Sequence, residues 1–285
     1  MSYSESAVVF PCCGENLLGI LAQPEVANKT GVLIIVGGPQ YRVGSHRQFL
    51  LLSRALASEG YPVMRFDYRG MGDSTGDLKG FEHVSADIGA AIDTFLAQSR
   101  AVERVVLWGL CDAASASLLY VDATSDQRVA GLILLNPWVR SEASLAKTHV
   151  KHYYGQRLFQ ADFWKKLLTG QVGVGRAIGG LISNLKQVSR GAASRHTVTS
   201  LSFQDRMLRG LKAFDRPTLI VLSGNDYTAK EFIESTKVST SWQVAMSRLN
   251  VDIKEIIGAD HTFSSAEWRQ GVKEITVAWL KPAVD

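Results

Sequence analysis

Three side chains that could together carry out nucleophilic chemistry lie far apart in the chain but in an informative order. Cys111 sits in Gly109-Leu110-Cys111-Asp112-Ala113, which follows an apolar run and opens a helical pattern. This is the setting of a nucleophile held on a tight strand-to-helix turn. The residues two before and two after such a nucleophile must be small, and Gly109 and Ala113 are. Asp226, at the end of Ser223-Gly224-Asn225-Asp226, and His261, in Gly258-Ala259-Asp260-His261-Thr262-Phe263, then follow as acid and base. Taken singly, each has a plain explanation: a buried cysteine is a small hydrophobe, an Asp after Gly-Asn is a turn residue, and a loop histidine is solvated. The order nucleophile, acid, base, with each residue after a predicted strand, makes coincidence a poor account.

A thiol ionises more readily than a hydroxyl, and a helix N-terminus and an imidazole both favour the thiolate. A Cys111, His261 and Asp226 set would suit activated acyl groups such as esters, lactones and thioesters, passing the acyl group to water or another acceptor through an acyl-thioester. The developing oxyanion needs donors. The backbone N–H of Asp112 is one, and the loop Gly37-Gly38-Pro39-Gln40 is where the second is expected. Gln40, Tyr41, Trp138, Lys147 and Lys151 are the expected substrate-binding side chains.

The elements that must position these groups are legible as a rhythm. Ser6 to Cys12 and Leu17 to Pro24 read as an antiparallel pair joined near Gly14, and Val32 to Gly38 reads as a buried strand. Helical patterns over His46 to Ser58, Ser85 to Ala97 and Asp112 to Tyr120 alternate with strands Tyr61 to Tyr68, Arg104 to Leu110 and Val129 to Trp138. This alternation predicts an α/β fold, a mostly parallel central sheet with helices on both faces. The rhythm breaks at Val139, and some 70 residues of helical pattern intervene before strand Pro217 to Ser223. Strand Asp252 to Ile257 and a helix over Ser265 to Leu280 complete the pattern. The expected division is a core of residues 1–138 and 213–285 with a helical lid, or cap, at 139–212, placed over the carboxyl ends of the strands where ligands bind.

With these parts assembled, the chain resembles the α/β-hydrolase superfamily over nearly its whole length. Phe66-Asp67-Tyr68-Arg69-Gly70-Met71-Gly72-Asp73-Ser74 is similar to the loop after that superfamily's second parallel strand, and Gly258-Ala259-Asp260-His261 to its histidine loop. Superfamily members with a His-Gly-Gly-Pro loop have that His where Val36 stands, which implies Gly38 as the second oxyanion donor; Pro39 has no N–H. Gly37-Gly38-Pro39-Gln40 and Gly109-Leu110-Cys111-Asp112 most resemble the first of the two hydrolase families associated with the bacterial exosortase A system. That resemblance implies a bacterial setting tied to exopolysaccharide and surface-protein export, and it implies no known substrate. The departure is cysteine where the superfamily has serine. It keeps a second reading open, a catalytically silent hydrolase fold acting as a binding or scaffold protein.

Charge and composition set the remaining expectations. The chain is 46% hydrophobic and 20% charged, enough to bury a full core. Its net charge of +4 is uneven: Arg140 to Lys212 holds 13 basic residues against Glu142, Asp162 and Asp205, so this segment is strongly positive and the remainder negative. Lys147, Lys151, Arg157 and Arg176 could steer an anionic or carrier-linked acyl donor; solvated helix faces or contact with a membrane surface are the alternatives. No nucleic-acid motif accompanies the charge, so nucleic acid is not an expected partner. Three cysteines, Cys12 and Cys13 adjacent, form no disulfide framework or zinc spacing, and no apolar span or export signal is apparent, so a cytoplasmic location is expected. No cofactor is expected. His149 and His152 lack a third metal ligand, Gly173 to Gly180 misses dinucleotide-loop spacing, and His46 and His83 read as surface or capping residues.

Overall fold

In the computed structural model, residues 2–38, 40–140 and 201–284 are described. All of these but residue 140 belong to one compact unit built from Met1–Val139 and Leu201–Asp285.

Strands β1 (Tyr3–Cys12) and β2 (Glu15–Pro24) form an antiparallel hairpin. Cys12 pairs with Glu15, and the intervening Cys13 and Gly14 both have positive φ, 51° and 85°. Two left-handed residues between paired strands match the right-handed twist of a hairpin, so the expected joint at Gly14 also enlists Cys13. The other strands are β3 (Thr30–Ile35), β4 (Val63–Phe66), β5 (Arg104–Leu110), β6 (Val129–Leu135), β7 (Thr218–Ser223) and β8 (Val251–Ile256). They form an 8-stranded sheet in the order β1-β2-β4-β3-β5-β6-β7-β8. Neighbours are parallel from β4 through β8 and antiparallel on the β1, β2 side.

Every residue of β3, β4, β6 and β7 is buried. A strand covered on both faces reads as a continuous apolar run, which is what these segments show. Helices α1 (Gln48–Ser58) and α7 (Ala266–Val284) pack together on the sheet. Helices α2 (Ser85–Gln98), α3 (Asp112–Thr124) and α4 (Phe203–Ala213) form a second packed group. Helices α5 (Tyr227–Lys237) and α6 (Thr240–Met246) lie between β7 and β8 in sequence.

Two boundaries differ from the sequence reading. The helix expected from His46 begins at Gln48, because His46 and Arg47 adopt left-handed φ of 53° and 60° in a short 3-10 turn. Helix α4, placed by its helical pattern within the expected lid, packs instead on α3 in the body. Gly210 allows that approach, since a Cβ there would overlap the carbonyl oxygen of Leu118. Arg209 binds both carboxylate oxygens of Asp122, at 2.5 and 2.7 Å. Residues 141–200, the greater part of the expected lid, lie outside the described residues and include Lys147, Lys151, Arg157, Arg176, His149, His152 and Gly173 to Gly180.

Candidate active site

The nucleophile turn is built by the end of β5 meeting the start of α3. Cys111 stands between them with φ 62° and ψ −123°, a conformation that L-residues avoid. Its backbone is pinned on both sides: its N–H donates to Leu135 O at 2.8 Å, and its carbonyl accepts from the Ala114 N–H at 3.1 Å and the Trp138 N–H at 3.3 Å. The requirement for small flanking residues is visible at Gly109, where a Cβ would stand 2.6 Å from the Ala113 carbonyl carbon.

Asp226 caps α5. Its carboxylate accepts from the N–H groups of Thr228 at 3.2 Å and Ala229 at 3.1 Å, which leaves one edge for His261. His261 Nδ1 lies 2.8 Å from Asp226 Oδ2. The Asp226 bond first, then the neighbouring Cys111 thiol, raise the imidazole to about 10 against the opposing effect of burial. Burial would raise the Asp226 carboxyl, but His261 and the two cap N–H groups outweigh it and hold it below the usual range.

The loop that carries these residues is tied to the sheet by Asn136, which the sequence reading did not single out. Fully buried and left-handed at φ 45°, it follows β6. Its amide donates to Ser223 Oγ at 2.8 Å and to the His261 carbonyl at 3.3 Å, and its Oδ1 accepts from the Ser223 N–H at 2.8 Å. Ser223 Oγ in turn donates to Asp260 O at 2.9 Å. The signal was an Asn directly after an apolar strand, which is too common to stand out.

The loop after β3 brings Gly37 and Gly38 against the nucleophile turn. Here the structure adds something the sequence reading lacked: the Gly38 N–H donates to Asp112 Oδ2 at 2.8 Å. The two residues expected to serve an oxyanion are thus bonded to each other, with the Asp112 side chain holding the Gly38 N–H. Arg42, farther along the loop, anchors it. Its N–H donates to Asp67 Oδ1 at 2.7 Å, its guanidinium pairs with the buried Asp67, and a second ion pair reaches Asp73 at 2.7 Å. Gln40 is half-buried, and Tyr41 is 46% exposed under the Arg42 guanidinium, 4.7 Å from its ring centroid. Trp138 reaches the nucleophile through its backbone, with its carbonyl accepting from Ser115 Oγ at 2.7 Å. A cavity of about 310 Å³ lined by Gln48, Trp108, Phe263 and Arg269 includes none of Cys111, His261 or Asp226 and is no part of this site.

A model of the family described as serine aminopeptidase, S33, matches residues 28–231. The chain belongs to that α/β-hydrolase family. Sequence comparison with curated proteins gives no match. Among solved structures, this α/β-hydrolase is similar to an esterase from Pyrococcus furiosus, with TM-score 0.66 and 14% identity, covering 99% of this chain and 92% of that one. It is also similar to a dienelactone hydrolase from Anabaena variabilis, with TM-score 0.63, 13% identity and 100% of both chains covered. A third is an α/β hydrolase from a Penicillium species, with TM-score 0.62, 16% identity and 98% and 97% coverage. At these identities the likeness is one of fold. Where the family description names serine, this α/β-hydrolase carries Cys111 on the turn. Among the described residues, no group of His, Cys, Asp or Glu is arranged to hold a metal ion, and no helix is long and apolar enough to cross a membrane.

Proposed function

We propose that this α/β-hydrolase is an acyl hydrolase or acyltransferase of the esterase, lactonase or thioesterase type, with Cys111 as nucleophile, His261 as acid and base, and Asp226 orienting the imidazole. The observation that carries this reading is His261, hydrogen-bonded to Asp226 at 2.8 Å and raised by both Asp226 and Cys111. A protonated imidazole beside sulfur favours the thiolate. The sulfur attacks the carbonyl carbon, the C–S bond forms, and the π electrons move to oxygen, stabilised by the N–H groups of Gly38 and Asp112. His261 gives its proton to the leaving alcohol or thiol as that bond breaks. Water or an acceptor hydroxyl then passes a proton back to His261, attacks the acyl-thioester and releases Cys111.

The motifs at Gly37 to Gln40 and Gly109 to Asp112 support a placement in the exosortase-associated branch of the superfamily, and with it a bacterial exopolysaccharide setting. The net positive charge between Arg140 and Lys212 supports an anionic or carrier-linked acyl donor. A catalytically silent protein is the second reading, and it draws on the Asp112 carboxylate standing on the Gly38 N–H.

Incubation with p-nitrophenyl acetate followed by peptide mass mapping separates the two. The expected result is acetylation of Cys111, absent in Cys111→Ala and slowed about a hundredfold or more in His261→Ala. Undiminished turnover in Cys111→Ala overturns the mechanism.

A further inference from the structure

The residue after the nucleophile has a side chain that the mechanism above does not use. Asp112 Oδ2 accepts from the Gly38 N–H at 2.8 Å. Its Oδ1 is buried and has no hydrogen-bond partner among the described residues. That oxygen lies against the Gly37 backbone so closely that a Cβ at Gly37 would overlap it. Gly37 is thus required by the carboxylate as well as by the turn, for the same Cβ would stand 2.8 Å from Leu110 O. An oxyanion formed on Cys111 needs the Gly38 N–H, and one backbone donor cannot serve a carboxylate and a substrate oxygen at full strength together.

We infer that Asp112 is a gate in the oxyanion site, a rate-determining and specificity-determining residue whose carboxylate must withdraw from Gly38 before a substrate carbonyl can take its place. The inference rests on Cys111 being the nucleophile. Short side chains change rotamer within nanoseconds when exposed, but here the move leaves a buried carboxylate to be rehoused, so it is costly while charged. Burial raises the Asp112 carboxyl, and the N–H groups of Gly38, Ala113 and Asp112 itself, with His261, pull the other way without restoring the ordinary value. The titratable groups facing it are Cys111 beside it, His261 from the loop after β8, and the buried Tyr68 hydroxyl, which burial first and then the Asp112 charge push well up. A proton on Asp112 weakens it as an acceptor, so the gate opens as pH falls. Such a gate favours substrates whose carbonyl carbon is already strongly electrophilic, as in thioesters and strained lactones, and which need less help from an oxyanion donor than plain esters do.

Two reagents read the gate separately from the nucleophile. Acetylation by p-nitrophenyl acetate passes through an oxyanion, whereas alkylation by iodoacetamide does not. The ratio of their second-order rate constants at Cys111, followed by mass spectrometry, isolates the oxyanion site. Asp112→Ala is expected to raise that ratio about tenfold or more at neutral pH, equivalent to a lost charge-assisted hydrogen bond. The near-isosteric Asp112→Asn, whose amide oxygen is a weaker acceptor, should give a smaller rise and provides a second variant should Asp112→Ala fold poorly. In the wild type the ratio should climb as pH falls toward the raised range of the Asp112 carboxyl, and in Asp112→Ala it should stay flat. Cys111 labelling with an unchanged or lower ratio in both variants overturns the gate alone. No labelling of Cys111 by either reagent overturns the nucleophile and the gate together.

Discussion

His261 is held by the Asp226 carboxylate at 2.8 Å, so its protonation state is tied to stability. Its imidazole is raised to about 10, first by Asp226 and then by Cys111. A raised histidine contributes stability in full below its unfolded value of about 6.5, and that contribution is lost as pH rises through the folded value. Asp226 is held low, so its contribution is present above about pH 4 and lost as pH falls through its lower folded value. Asp226→Asn removes both. The gap in melting temperature between wild type and Asp226→Asn should therefore be widest between about pH 4 and 6.5, narrowing toward pH 10. Thermal melts across that range check it, and a gap that widens with alkalinity would contradict the assignment. Asp226, His261 and the small residues around Cys111 were legible from order and turn chemistry because each obeys a local rule. The Asp112 contact was not, since it joins a loop glycine to the first residue of α3, 74 residues on, and no local rule couples the two.

Elements position these groups by their ends. Asn136 ties three of them together: the end of β6 on which it sits, Ser223 at the end of β7, and the loop of His261. Asn136→Ala leaves the Ser223 N–H and Oγ short of partners in the interior, which should cost about 2 to 4 kcal/mol. Urea denaturation measures that cost. Acylation of Cys111 should fall as well, because the histidine loop loses its anchor while Asp226 stays capped on α5. The strand order and the parallel pairing followed from apolar runs alternating with helical patterns, since a doubly covered strand announces itself. The helix from Phe203 was read correctly as a helix and wrongly grouped. Periodicity tells which face is apolar and nothing of which partner that face meets, and here Gly210 and the Arg209 pair with Asp122 settle it on α3. The start of α1 was displaced by left-handed His46 and Arg47, residues with no sequence signature for that conformation.

Across the whole molecule, the distribution of charge is the feature with kinetic consequences. The segment from Arg140 to Lys212 is strongly basic within an otherwise acidic chain. Part of that charge is already committed in the body, since Arg209 pairs with Asp122 and Arg206 stands 3.9 Å from Glu82. If the remainder steers substrate, kcat/KM for an anionic ester should fall several-fold between about 50 and 500 mM salt, while a matched neutral ester stays flat. Flat curves for both would leave the charge to solvent. The body itself supplies a different lesson. Gln204 Nε2 donates to Val139 O at 3.1 Å, so the described residues on the two sides of 141–200 are joined by a direct hydrogen bond. Strands β6 and β7, on either side of that segment in sequence, are direct neighbours through Leu132 to Leu135 and Thr218 to Val221. Lengthening, shortening or exchanging what lies between costs the sheet no pairing, and loop-closure entropy grows only slowly with length. One eight-stranded frame can thus be fitted with different segments between β6 and β7 without reopening the question of how it folds.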